Sequence, residues 1–207
     1  MSDIKLLIVE DEPLIAEDIA QWLERNGFFV SAVVYSKEDA MQQLNFNLPD
    51  IVLLDINLNG EMSGIEIAEK INTVYNIPFI FITSYSDKQT LEKAKYTEPS
   101  GYIVKPFNEA SLYSTIEIAL YNHAQKSKRK FPALSFNKIN NHLSDHITER
   151  EFSLLQLIYD GKTNKQIADA LFISTNTVKK HINNTYLKLG ASSRATSITR
   201  LRDLMLL

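Results

Sequence analysis

Four apolar residues, Ile51-Val52-Leu53-Leu54, run straight into a carboxylate at Asp55. A short, unbroken apolar run of this kind fits a strand buried on both faces, and such strands belong to parallel sheets covered by helices. The strand delivers its last residue to the C-terminal edge of the sheet, where open α/β folds place their chemistry. A single acid at that edge is more often a cap for the next helix. The rest of the chain decides between the two readings.

Four further runs repeat the pattern. Ile4–Val9 ends in Glu10-Asp11-Glu12, Phe29–Val34 follows, Ile77–Thr83 ends in a hydroxyl, and Gly101–Val104 runs into Lys105-Pro106. Helical stretches separate them. Pro13 opens the first, which reaches about Arg25 with Leu14, Ile15, Ile19, Trp22 and Leu23 on its apolar side, and Asn26-Gly27 stops it. Ser36, with Asp39 three residues on, caps a second that ends near Phe46. A third is predicted from Ile65 to about Tyr75 after the Gly-punctuated loop 56–64, a fourth from Asp87 to Lys95, and a fifth from Asn108 to about His123. Strands alternating with helices predict an α/β fold, a doubly wound five-stranded parallel sheet.

In that fold Glu10, Asp11 and Asp55 share one edge, and three carboxylates so placed repel unless a cation joins them. Carboxylates with a backbone carbonyl and water suit Mg²⁺. Lys105 adds a point positive charge and Thr83 a hydroxyl donor. Metal, ammonium and hydroxyl together neutralise the oxygens of a phosphoryl group, and Asp55 is the natural nucleophile because aspartate forms an acyl phosphate. Each residue alone has a plainer role: Thr83 as a β-branched strand end, Tyr102 as a half-buried aromatic, Lys105 as a solvated loop charge. Their occurrence together, at successive strand ends, favours the phosphoryl site.

Residues 3–124 resemble the receiver domain of bacterial two-component response regulators in Glu10-Asp11, Asp55, Thr83, Tyr102 and Lys105-Pro106. The resemblance implies a flavodoxin-like receiver in which a sensor histidine kinase phosphorylates Asp55. It also implies Mg²⁺ held by Asp11, Asp55 and the carbonyl of Asn57, with Glu10 supporting through water. Thr83 and Tyr102 would form the switch pair. The Met-Pro that usually follows the phosphoacceptor is missing, and the loop Leu58-Asn59-Gly60 is one residue longer. Two rivals are an aspartyl-phosphate phosphatase and a phosphate-independent dimerisation or ligand-sensing module. The first needs a second Asp two residues past the nucleophile, where Asn57 stands; the intact acidic pair, Thr83 and Lys105 argue against the second.

Charge divides the chain. Residues 1–124 carry 8 Lys+Arg against 19 Asp+Glu, a net of -11, and residues 125–207 carry 14 against 6, a net of +8. The swing predicts two domains, one with a cation site and one with a polyanion partner. The boundaries are read as a receiver over 1–124, a linker over 125–143 and a second domain over 144–207. The charge run Gln125–Lys130 fits a linker or a frayed helix end, Phe131-Pro132 breaks any helix, and Asn137–Ser144 is polar. His142 and His146 have a spacing that binds metal on a helix, but no carboxylate or thiol pattern completes a site, so solvated linker histidines are expected.

Residues 147–207 read as four short helices. Thr148 and Glu151 form a capping box ahead of Phe152, Leu154, Leu155 and Ile158, and Gly161 ends that helix. Asn164 is read as the cap of a second helix through Leu171. After the turn Phe172-Ile173-Ser174, a third runs to about Leu189 with Val178, Ile182, Tyr186 and Leu189 inward and Thr177, Lys179, Lys180, Asn183 and Asn184 outward or flanking. In the last, from Ser193 to Met205, Ile198, Leu201 and Met205 recur at helical spacing, either as core or as a face that pairs two domains. Two short helices joined by a tight turn, the second bearing lysines and amides, describe a helix-turn-helix.

The stretches Ile147-Thr148-Glu149-Arg150-Glu151, Gly161–Ala168, Ile173–His181 and Lys188-Leu189 resemble the LuxR/NarL-type DNA-binding domain over nearly its whole length. That resemblance implies Lys179, Lys180 and Asn183 facing the major groove, with Thr175 and Thr177 among the DNA contacts. Thr163, Asn164 and Lys165 would meet phosphates, and His181 would pack or touch phosphate. Ser153 and Gln166 stand where the family usually has Glu. The whole chain is thus expected to be a non-enzymatic, phosphorylation-dependent transcriptional regulator, bound to promoter double-stranded DNA as a homodimer. The chain has no Cys, which rules out thiolate metal sites and disulfides. With no apolar run of membrane length and no signal-peptide pattern, a cytoplasmic protein is expected.

Overall fold

The computed structural model describes residues 4–84, 88–130 and 133–207. The chain divides into two compact units, one of Lys5–Leu120 and one built on Tyr121–Leu207. The first holds β1 (Lys5–Val9), α1 (Pro13–Arg25), β2 (Phe29–Val34), α2 (Lys37–Phe46), β3 (Ile51–Leu54), α3 (Ser63–Lys70), β4 (Phe79–Thr83), α4 (Lys88–Tyr96), β5 (Gly101–Val104) and the start of α5 (Glu109–Lys130), in that order. The strands form one parallel sheet in the order β2-β1-β3-β4-β5. β3 and β4 are wholly buried, as is β1 from Leu6 on, while the edge strand β2 is mostly half-buried. That is the gradient expected when helices cover both faces of the central strands. The chain reverses direction across the sheet at β1, between β2 and β3, so a crevice opens there at the C-terminal edge.

Four local expectations change. Leu14 is 78% exposed, because five residues place it about 140° round the helix from buried Ile19. The third helix starts at Ser63, and its last turn, Ile71–Tyr75, is π-helical and closed by Asn76 at φ 49°. β4 begins at Phe79, after Pro78, whose carbonyl accepts from Val52 N at 3.1 Å. α5 continues to Lys130, since Gln, Lys and Arg favour helix and basic residues suit a helix C-terminus. Asp87, the expected start of the fourth helix, and Phe131-Pro132, the expected breaker, lie outside the described residues.

The second unit contains α6 (Phe136–Asn140), α7 (Glu149–Tyr159), α8 (Asn164–Leu171), α9 (Thr175–Leu189) and α10 (Arg194–Leu206). The four helices expected after residue 147 are present, and α6 precedes them inside the stretch read as linker. Its Ile139 and the following Leu143 are buried with Ile158, Ile182 and Leu201. A helix of five residues is too short to show periodicity, which is why composition alone concealed it. Asn140 ties this segment down by exchanging two hydrogen bonds with the backbone of Ile147, at 2.8 and 3.1 Å.

Hydroxyl caps begin the remaining helices: Thr148 with Glu151, Thr163 with Gln166, Ser174, and Ser193 with Thr196. The α8 cap is therefore Thr163, and Asn164 is the first helical residue. Leu201 and Met205 are 0% and 3% exposed, so that side of α10 is core, with Ile198 packed against it. Buried Arg194 donates to the carbonyls of Ile158 at 2.9 Å and Lys162 at 2.6 Å, locking the start of α10 to the end of α7.

Candidate functional site

The parallel ladders extend one residue past the strands. Glu10 N donates to Val34 O at 3.0 Å and Asp55 N to Val9 O at 2.9 Å, which fixes both acids at the sheet edge. Glu10, Asp11 and Asp55 each offer an oxygen, and these lie within 4.8 Å of one another. Lys105 enters from the end of β5, its backbone N–H bonded to Thr83 O at 2.9 Å. Its ammonium sits 2.7 Å from Asp55 Oδ2 and 2.7 Å from Glu10 Oε2, with Glu12 at 4.0 Å. The second oxygen of Asp55 accepts from Asn57 N at 3.0 Å. Thus the expected acids and cation meet, and Lys105 bridges two of the acids directly.

Burial pushes the Glu10 carboxyl up to about 7, against the lowering effect of the Lys105 contact. Burial works to lower the Lys105 ammonium, but its hydrogen bonds to Asp55 and Glu10 outweigh it and raise the group, so Lys105 stays charged. This is a dense set of hard oxygen donors with one resident cation, the chemistry that suits Mg²⁺. Thr83 is fully buried at the end of β4. Tyr102 pairs with Phe81, two residues before Thr83, and Val104 with Thr83 itself, so all four side chains share one face of the sheet. The half-buried Tyr102 ring meets the edge of Phe81 at a centroid distance of 6.2 Å.

Gly64 is a positioning residue that the residue-type reading treated as loop punctuation. A Cβ there would stand 2.0 Å from the carbonyl oxygen of Asp55 and 2.8 Å from Ile56 Cα. Only glycine lets the first turn of α3 close on the segment carrying Asp55, with Gly64 N donating to Ile56 O at 3.0 Å. With the helix expected from Ile65, Gly64 stood in the sequence as the last residue of a loop, and only its place in the opening turn of α3 discloses the role.

In the second unit, α9 buries Val178, Ile182, Thr185, Tyr186 and Leu189. On its other side Thr175, Lys180 and Asn183 are exposed, and Thr177 and Lys179 half-buried. Thr177 Oγ1 lies 2.8 Å from Ser174 Oγ, within the cap. Lys165 is exposed, whereas Thr163 and Asn164 are 4% and 7% exposed and belong to the turn that starts α8. His142 and His146 are exposed and lie beyond the end of α6, off any common helix. His142 Nδ1 instead lies 2.9 Å from Lys138 O.

A family model described as "Response regulator receiver domain" matches residues 6–117. The chain belongs to the two-component response regulators. A second model, "Bacterial regulatory proteins, luxR family", matches residues 145–201 of this response regulator and makes it a transcriptional regulator with a LuxR-type DNA-binding domain. The nitrate/nitrite response regulator protein homolog of Haemophilus influenzae is 32% identical, the alignment covering 94% of each chain. The response regulator protein VraR of Staphylococcus saprophyticus is 28% identical, again over 94% of each. Among solved structures, the signal receiver domain of a modulated diguanylate cyclase from Desulfovibrio desulfuricans is 37% identical with a TM-score of 0.56. That match covers 59% of this response regulator and 97% of the other chain. No helix among the described residues is long and apolar enough to cross a membrane.

Proposed function

We propose that this response regulator is switched by phosphorylation of Asp55 and that the switch controls promoter DNA binding by its C-terminal domain. The observation carrying the proposal is the Lys105 ammonium, 2.7 Å from Asp55 Oδ2 among three carboxylates at the sheet edge. An Asp55 oxygen forms the P–O bond while the P–N bond of a phosphohistidine in the sensor kinase breaks, the electron pair leaving on the imidazole nitrogen. Mg²⁺, held by Asp11, Asp55 and the Asn57 carbonyl with Glu10 behind them, supplies positive charge for the phosphoryl oxygens when bound. Lys105 leaves its carboxylate contact for a phosphoryl oxygen, and the Thr83 hydroxyl donates to another. Tyr102, on the same face of the sheet, moves into the space Thr83 vacates. The domain hydrolyses its own acyl phosphate and otherwise acts as a regulator rather than an enzyme.

The receiver takes in residues 1–124. Because α6 packs into the helical core, the DNA-binding domain begins before Phe136, and the linker is shorter than residues 125–143. Lys179, Lys180 and Asn183 read the major groove with Thr175 and Thr177 at its entrance, and Lys165 meets phosphate. Thr163 and Asn164, beside Lys165 at the start of α8, meet phosphate with it, the Thr163 hydroxyl also capping the helix. A phosphorylated or DNA-bound homodimer in the cytoplasm fits the family. Operator affinity measured with and without beryllofluoride, for wild type and Asp55→Ala, tests the switch. Tighter binding by wild type alone is expected. No response by wild type would favour the phosphate-independent module.

A further inference from the structure

The loop after Asp55 folds into a defined turn. Leu58 N donates to Glu61 O at 2.8 Å and Glu61 N to Leu58 O at 3.1 Å, and the residues between them, Asn59 and Gly60, have φ of 54° and 85°. Two positive φ angles in a two-residue connection define a type I′ turn, for which Asn-Gly is the preferred sequence. Leu58, 2% exposed, anchors its stem in the core. The tip reaches back over the pocket. Asn59 N donates to Asp11 Oδ2 at 2.9 Å, and Asn59 Nδ2 donates to Tyr35 O at 3.3 Å. One residue therefore ties together the loops that follow β1, β2 and β3.

Asp11 needs such a restraint more than its neighbours do. Glu10 and Asp55 are 1% and 6% exposed and held by Lys105, whereas Asp11 is only half-buried. A half-exposed carboxylate with no fixed donor samples several rotamers, and ordering it costs free energy when a cation binds.

We propose that the Asn59-Gly60 turn is a positioning element of the cation site, its backbone N–H fixing the Asp11 carboxylate beside Glu10 and Asp55. The inference rests on the reading of that pocket as a divalent-cation site.

Gly60 allows a clean test, because a Cβ there meets no atom within 4 Å. Substitution thus acts through backbone conformation and not through a clash. Asn tolerates the left-handed region, whereas β-branched Val does not. Mn²⁺ binding to the full-length protein, followed by the electron paramagnetic resonance signal of the free ion, is the readout. Gly60→Val should weaken binding by roughly tenfold, and Gly60→Asn should stay within about twofold of wild type.

Equal binding by wild type and Gly60→Val would overturn the proposal, as would an equal loss in Gly60→Asn. In both cases the cation site itself would stand. A wild-type protein that takes up no Mn²⁺ would instead remove the site along with its positioning element. Circular dichroism establishes that each variant is folded. Should Gly60→Val fail that check, Asn59→Ala carries the same test, since it removes the tie to Tyr35 and the residue type that tolerates φ of 54°. Unchanged Mn²⁺ affinity in Asn59→Ala would then overturn the proposal.

Discussion

Replacing Gly64 by Ala sets two effects against each other. Gly64 is the second residue of α3, so helix propensity alone predicts a gain of up to about 1 kcal/mol for Ala. Against it, the added Cβ would lie 2.0 Å from Asp55 O, 2.8 Å from Ile56 Cα and 2.9 Å from Asp55 C, all of them backbone atoms. Non-bonded carbons settle at about 3.5–4.0 Å, so α3 must retreat by more than about 1 Å. Forced repacking of this kind costs about 1–3 kcal/mol. Retreat also breaks the bond from Gly64 N to Ile56 O, worth about 1 kcal/mol. The clash wins, and a net loss of about 1–3 kcal/mol is expected.

Urea denaturation followed by tryptophan fluorescence measures this directly, because Trp22 is the one tryptophan in the chain and lies in the first unit. With a slope of about 2 kcal/mol per molar, the midpoint should fall by roughly 0.5–1.5 M. Phosphorylation of Asp55 by acetyl phosphate should slow in parallel, since the displaced backbone carries the nucleophile. A midpoint equal to or above that of wild type would refute the close-approach argument.

Lys105→Ala should leave Asp55 phosphorylatable, as judged on a phosphate-affinity gel, while operator binding loses its response to phosphate; a preserved response would remove Lys105 from the switch. Lys179→Ala and Lys180→Ala should each weaken operator binding by about 1–3 kcal/mol where the lost contact is to a base. A lysine that meets only phosphate should weaken all duplexes alike and flatten the salt dependence, and unchanged affinity for every duplex would exclude α9 as the recognition helix. Glu151 gives a pH-dependent prediction. Burial works to raise its carboxyl, but hydrogen bonds from Lys188 and Thr148 hold it below the ordinary glutamate value of 4.5. Its stabilising effect is therefore full above that value and is lost as pH falls through the lower, folded-state value. Glu151→Gln should destabilise the helical unit by about 1 kcal/mol at neutral pH, and thermal melts of the two proteins should converge in acid.

The receiver-like half was legible because its strands are short, largely apolar runs and four of them end in a distinct functional group. The acids, Thr83 and Lys105 could be placed by counting to strand ends. What residue types did not disclose are contacts made by backbone. Gly64 matters through a carbonyl oxygen, and Asn59 through an N–H that any residue except proline would have. In the sequence they stand as a glycine just ahead of an expected helix and an Asn-Gly pair, both easily taken for loop punctuation. α6 stayed hidden because five residues give the helical period little more than one turn. Thr163 and Asn164 show a different limit. A hydroxyl before a helix can serve a cap or a phosphate, and in the folded chain Thr163 is buried with its Oγ1 accepting from Gln166 N.

The sheet order β2-β1-β3-β4-β5 also governs timing. Leu6 pairs with Ile51 and Leu7 with Val52, partners 45 residues apart, so the central ladder cannot form until a long loop closes. The four longer helices of the second unit each open instead on a local contact, the cap hydroxyl accepting from a backbone N–H three residues on. Contacts of short sequence separation form early and those of long separation late. β1 can pair with β2 once residues 29–34 are made, but its other edge stays open until residues 51–54 follow. In refolding, the fluorescence of Trp22 should lag behind the recovery of helix in the C-terminal unit.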